Sequence, residues 1–329
     1  TFVLSLDSVG AEEDGEPRRF VMAGRTWEIV DADPEKSELL VAPVSDQGSA
    51  PVWSGELPPV PAKVAREVGW LRLAIAGDHG FVMEEEDIGF SPLVEAWIAS
   101  LPSMREVDSY PVSDTSLGLL TQNVLEHIES TNAVPYPRLL PIEKRRDAIV
   151  LNSTLGSRVN EALAHFVQAM ASTVDGKSGR VIVDPYRITF QVPALTMDSM
   201  VTWLRETPPE ALSDIMRMTI PNGRQLRARL VQVCKTFGIL QHGIDPRRVN
   251  LNGIIHRYRD TVVLDDALDM LFHDRMDVEG ATELLRAIQE GAVDIKTTAA
   301  GSLGLSPRSE RDLLLPNWSK EEVRFRLKD

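Results

Sequence analysis

From Met197 onward the chain falls into six successive helix-length segments, 197–206, 209–218, 222–237, 250–258, 262–273 and 278–290, closed by a β-type run at 292–297. Each carries apolar residues at helical spacing and ends near Pro, Gly or an Asp/Asn turn. A half built this way must bury its apolar faces helix against helix. The first 45 residues read differently. The runs 18–23, 25–30 and 38–42 alternate or run apolar, and Gly24 and the Asp/Pro-rich stretch 31–36 separate them as turns. Between these ends lies mixed sequence. Strand signals at 148–151 and at 180–184 with 187–192, the latter pair joined through Asp-Pro-Tyr, flank a helix over 159–172. Leu163, Phe166, Val167 and Met170 form that helix's inward stripe. The order is β, then mixed, then helical, which defines an α+β class: an N-terminal antiparallel β region, a mixed α/β segment and a mainly helical C-terminal half. We expect a β-rich region with a proline loop and helix over 1–110, and an α+β module over 111–329.

Several local expectations follow. A helix over 62–76 presents Val64, Val68, Leu71 and Ile75 on one face, after a proline-rich loop at 45–61. Helices at 91–100 and 115–130 come next, the second capped by Ser113 with Leu119, Leu120, Val124 and Ile128 inward. Pro135, Pro137 and Pro141 force an extended connection. Phe2–Leu6 reads as a strand already under way at Thr1, so we expect the chain to be part of a longer protein.

The net charge of −14 argues at first against nucleic acid, because phosphate contacts need Lys and Arg. Its distribution reverses that argument. Residues 1–137 are net −16, 138–259 net +8, and 260–329 net −6. A basic centre can bind phosphates locally, or can pair with its own acidic flanks. A mean hydropathy of −0.12 and the lack of an 18-residue apolar run exclude a membrane helix. The single cysteine, Cys234, excludes a disulfide framework and a cysteine metal site, and suits a cytoplasmic location.

Motifs for independent chemistry are weak. Gly176-Lys-Ser178 lacks the upstream glycine of a phosphate-binding loop, position 171 being Ala, and follows a helix instead of a strand. No ATP site or other cofactor is therefore expected in this chain. Asp265, Asp266, Asp269, Asp274 and Asp277 spread over several helix faces without a calcium-loop glycine, so a solvated face with N-capping is expected, not a metal. No catalytic residue is assigned. Two signals remain. Trp53, in the loop Pro51-Val-Trp-Ser-Gly-Glu56, offers a flat face for base stacking or, alternatively, packs over the nearby sheet. The helix over 222–237 has Leu226, Leu230, Val233, Cys234 and Phe237 on one face, Arg224 and Lys235 opposite, and Arg227 and Arg229 on its flanks, with Arg247 and Arg248 beyond. That pattern fits a helix along a phosphate backbone and equally a surface helix facing an acidic region.

The run Leu264–Ala281, with Ile288–Ile295 and Leu305-Ser-Pro307 after it, resembles the C-terminal module of Lhr (large helicase-related) superfamily 2 helicases. So do, in the same order, Gly24-Arg-Thr-Trp-Glu-Ile29, the Pro-x-Trp-x-Gly-Glu loop 51–56, Val64–Gly69, and the central block Leu151-Asn-Ser-Thr-Leu-Gly-Ser-Arg-Val-Asn160. Arg229–Cys234 and Asp245-Pro-Arg-Arg248 follow suit. Val159-Asn-Glu161 departs from a Pro-Trp pair seen in many bacterial members, marking a divergent one. The resemblance implies a C-terminal accessory part of an ATP-dependent 3′–5′ helicase, inert alone, with ATP and Mg held by motor domains elsewhere in the parent protein. It implies single-stranded nucleic acid as partner, DNA in preference to RNA, and Trp53 stacked on a base. Arg158, Arg224, Arg227, Arg229, Arg247 and Arg248 are then candidates for phosphate contacts. The alternative function is a platform that recruits a partner protein.

Overall fold

The computed structural model describes residues 19–22, 25–33, 38–44, 58–81, 89–145, 148–175, 179–220, 224–241, 244, 249–299 and 305. They divide into two compact units, one of residues 1–58 with 230–264 and one of 59–229 with 265–329.

In the first unit, strands β1 (Arg19–Met22), β2 (Arg25–Asp33) and β3 (Glu38–Val44) form an antiparallel meander. Pairing of β2 with β3 slips between Ile29 and Asp31, a bulge that leaves Val30 59% exposed. The antiparallel N-terminal region expected from the sequence is present.

The second unit is built on a five-stranded mixed sheet. Its order is β6 (Arg180–Asp184), β7 (Arg187–Gln191), β5 (Ile149–Asn152), β4 (Leu139–Lys144), β8 (Asp294–Ala299). All neighbours are antiparallel except β4 and β8. A parallel neighbour needs a long crossover, and here the whole run of C-terminal helices lies between β7 and β8. Pro141 is a correction to the extended-connection reading, because it lies inside β4. Proline cannot donate to a ladder, and Pro141 avoids that penalty by position: β5 pairs with β4 only from Ile142 onward, leaving Pro141 opposite Lys296 of β8 alone.

The helices in chain order are α1 (Ala62–Asp78), α2 (Pro92–Ser100), α3 (Asp114–Thr131), α4 (Ser157–Asp175), α5 (Met197–Glu206), α6 (Ala211–Thr219), α7 (Arg224–Thr236), α8 (Leu251–Arg257), α9 (Val262–Arg275) and α10 (Val278–Gln289). Their starts follow the expected chemistry. Ser91, Ser113, Thr196, Asn250 and Asp277 each accept a backbone N–H at their helix N-terminus. Helix α4 is the spine of the second unit, with Leu163, Phe166 and Val167 fully buried as expected. Helix α2 is fastened to α10 by Ser91, whose N–H and Oγ–H donate to the two carboxylate oxygens of Glu290 at 2.7 Å each.

Two expected stripes each lose one residue to solvent. On α1, Leu71 and Ile75 are buried as expected, but Val64 is 50% exposed, and Ala65, Gly69, Leu73 and Ala76 complete the buried face. Backbone approach decides this. A Cβ at Gly69 would lie 2.8 Å from both Pro137 Cδ and Thr154 Oγ1, so the helix presses its smallest residues against the sheet connection. On α3, Val124 is buried and Leu120 and Ile128 pack against the core as expected, but Leu119 is 58% exposed, and His127 and Thr131 are buried with Val124. There Val124 packs with Leu71, Ile75 and Tyr136, and Trp70 meets Tyr136 at 5.6 Å between ring centroids.

Candidate nucleic-acid interface

The Lhr-like central block, residues 151–160, is buried from Leu151 to Gly156 and again at Val159 and Asn160. Three of its polar side chains face inward because each has a partner there. Asn152 donates to Glu143 Oε1 at 2.6 Å, Ser153 Oγ donates to Asn160 Oδ1 at 2.8 Å, and Asn160 Nδ2 donates to the Asp184 carbonyl at 2.8 Å. Glu143 of β4 and Arg145 just past its end, 1% and 9% exposed, pair at 3.8 Å. His127 is buried beside this group. Its pKa is lowered to about 4, chiefly by loss of solvation, with Arg72 and Arg145 adding to the fall and Glu143 opposing it. A buried network of this kind fixes one arrangement of the elements that carry it.

The same block anchors the chain at residues 60–62. Ser157 Oγ accepts from the Val60 N–H at 2.9 Å, and the Ser157 N–H donates to the Val60 carbonyl at 3.0 Å. Gly156 makes this possible. It has φ +84°, and a Cβ there would lie 2.8 Å from Ala62 N and Cα. On its other side Gly156 donates its N–H to the Pro185 carbonyl at 3.1 Å, and Ser153 donates to the Tyr186 carbonyl at 2.8 Å. The tip of the β6–β7 hairpin is thereby locked against the start of α4. Asp184 completes the tip, accepting from Tyr186 N at 2.7 Å and from Arg187 Nε at 2.5 Å. Above it, the Arg72 guanidinium lies over the half-buried Tyr186 ring at 5.3 Å.

Of the expected phosphate contacts, Arg158 is exposed on the first turn of α4, where its carbonyl accepts the Asp277 N–H at 3.0 Å. Arg224 opens α7. Arg227 and Arg229 are half-buried, and Arg229 Nε lies 2.9 Å from Asp274 Oδ2 on α9. Trp53, Arg247 and Arg248 lie outside the described residues, as does Gly176–Ser178. Along α7, Leu226, Leu230, Val233 and Cys234 are buried as expected. Phe237 is a correction: the helix ends at Thr236, Gly238 turns the chain with φ +68°, and Phe237 is 47% exposed. The aspartates of α9 have structural duties. Arg217 of α6 sits over Phe272 at 5.4 Å, pairing with Asp269 and, at 3.7 Å, with Asp265, while Asp277 caps α10. Among the described residues no group of His, Cys, Asp and Glu is placed to hold a metal, and no helix is long and apolar enough to cross a membrane. The pairing of Arg72 with Tyr186 was missed in the sequence. The Asp-Pro-Tyr turn was its only local trace, and Arg72 lies more than a hundred residues away.

The second unit thus combines a five-stranded mixed sheet, a buried polar block and a largely helical C-terminal half. Residues 134–307 match the DEAD/H-associated family, which is over half of the chain, and the protein belongs to that family. Within it the likeness is to Lhr helicases, as the sequence motifs implied. The chain is 22% identical over 293 residues to the ATP-dependent helicase Lhr-Core of Sulfolobus acidocaldarius, covering 84% of this chain and 32% of that protein. Its fold matches the helicase Lhr of Mycobacterium smegmatis, solved bound to ssDNA and AMP-PNP, with a TM-score of 0.59 at 18% identity. That match covers 83% of this chain and 34% of the solved one, so the protein spans about a third of either relative.

Proposed function

We propose that the protein is the C-terminal accessory part of an Lhr-type ATP-dependent 3′–5′ helicase, and that it contacts the tracking single strand. The observation that carries the reading is the fold shared with a helicase solved on ssDNA, taken with family membership over residues 134–307. In this reading Trp53 stacks on a base, and Arg158, Arg224, Arg227, Arg229, Arg247 and Arg248 meet phosphates. DNA is preferred to RNA, the motor domains of the same protein supply ATP and Mg chemistry, and the location is the cytoplasm. A stacked indole contributes about 1–3 kcal/mol irrespective of base identity. Trp53→Ala should weaken single-strand binding by that amount and leave the melting temperature nearly unchanged. A variant that melts far lower, yet binds normally while folded, would mark Trp53 as a packing residue.

A second reading is a protein-recruiting platform. The Arg229–Asp274 pair favours it, since a candidate phosphate-binding arginine already faces a carboxylate of its own chain.

A further inference from the structure

Resting on the strand-binding reading, we infer a second base-stacking position in the tip of the β6–β7 hairpin. Tyr186 is the platform, Arg72 its supporting cation, and a nucleobase of the single strand the ligand. The geometry has what such a platform needs. The ring stands on a two-residue turn whose backbone is fixed from both sides: Tyr186 N–H donates to Asp184 Oδ1 at 2.7 Å, and the Tyr186 carbonyl accepts from Ser153 N at 2.8 Å. The guanidinium of Arg72 covers the ring at 5.3 Å, so the side chain is ordered before any ligand arrives. A rigid aromatic with two side-chain torsions loses little entropy on stacking, which is why preorganised rings bind bases well. Tyr186 is half-buried and keeps part of its surface in solvent, where the inference places the base.

Charge for the adjoining phosphates is close at hand. The hairpin tip is bonded to Gly156 through Pro185, and the exposed Arg158 follows two residues later on the first turn of α4. Arg187, oriented by Asp184 at 2.5 Å, flanks the tip on its own strand. An aromatic face with a cation close by is the sequence-tolerant recognition chemistry of single strands: the ring takes the base and Arg158 takes the backbone. Tyr186 thus extends the strand-contacting surface to the five-stranded sheet.

The test uses the full chain and a 5-iodouracil-substituted single strand, with photocrosslinked residues identified by mass spectrometry. Affinities are measured in parallel by fluorescence anisotropy for Tyr186→Leu, Tyr186→Phe and Arg158→Ala. Crosslinks at Tyr186 are expected. Tyr186→Leu should weaken binding roughly 5- to 150-fold for any base composition, while Tyr186→Phe keeps the ring and binds within about twofold of wild type. The salt slope should stay fixed in Tyr186→Leu, because no charge is lost, and should fall by about 0.7 in Arg158→Ala. Wild-type-like binding by a folded Tyr186→Leu, or crosslinks that map only elsewhere, overturns the inference. If Trp53→Ala weakens binding in that case, the strand-binding reading stands without it. Crosslinks at Tyr186 together with normal binding by Trp53→Ala would uphold this site and reject Trp53. Absence of strand binding by the wild-type chain would reject both.

Discussion

Replacing Gly156 with Ala should destabilise this protein through its backbone rather than its packing. Two effects combine at that position. Its φ of +84° places an L-residue in left-handed space, at about 1–2 kcal/mol. The new Cβ would also lie 2.8 Å from Ala62 N and Cα and 2.9 Å from the Val60 carbonyl oxygen, all of them backbone atoms that cannot swing aside. Relief requires residues 60–62 to move off the start of α4, which strains or breaks the two Val60–Ser157 hydrogen bonds at about 1 kcal/mol each. The expected total is about 3–4 kcal/mol, a large share of the 5–15 kcal/mol that stabilises a typical domain. Urea unfolding followed by circular dichroism should show a lower midpoint with an unchanged slope. Gly118→Ala is the control. It is exposed on helix α3 with nothing within 4 Å of the added carbon, and should stabilise by about 0.5–1 kcal/mol. Equal midpoints for Gly156→Ala and wild type would refute the reasoning, because neither the strain nor the clash would then exist.

Acid should destabilise the second unit over a defined window. His127 is buried and His165 mostly so, and loss of solvation lowers both pKa values to about 4 from 6.5, so their contribution is complete above pH 6.5 and is lost as pH falls toward 4. Below pH 6.5 the unfolded chain binds the protons and the folded one does not, which gives up to about 1.4 kcal/mol per pH unit for each histidine. Urea midpoints at pH 7 and pH 5 measure this, and His165→Gln should reduce the difference; equal midpoints in wild type would contradict it. Asp274→Asn should leave stability within about 1 kcal/mol, since Asp274 is 41% exposed, while freeing Arg229 to bind a strand more tightly by the equivalent of about 0.5–1 kcal/mol. Weaker strand binding by this variant would count against a phosphate role for Arg229.

Elements with strong local signals were legible to within a few residues. Helices α5 to α10 fall where periodicity and capping put them, because Thr196, Asn250 and Asp277 mark their starts without tertiary help. The β6–β7 hairpin was equally plain from Asp-Pro-Tyr. What could not be read depends on partners distant in sequence. Val64 and Leu119 belong to apolar stripes that local spacing turned inward, yet Gly69 meeting Pro137 and Thr154 sets how α1 actually lies. Pro141 carries the local signal of an extended connection, yet it lies inside β4, where β5 begins its pairing one residue later. His127 carried no signal at all, since its burial depends on Glu143, Arg145 and Arg72 being brought to it by the fold. For the candidate site, Arg158 and the α7 arginines were visible as charges. That Arg229 faces Asp274, and that Arg72 covers Tyr186, required the three-dimensional arrangement.

The central claim, that the basic centre of this acidic protein meets a nucleic-acid backbone, is tested most directly by the salt dependence of single-strand binding. Arginines that neutralise phosphates release counterions, so log K against log[salt] should fall linearly with a slope of about −0.7 per phosphate. If three to six of the candidate arginines engage, fluorescence anisotropy with a labelled oligonucleotide should give a slope of roughly −2 to −4. A flat response, or no binding even at low salt, would contradict the account and leave the protein-recruiting platform as the better description.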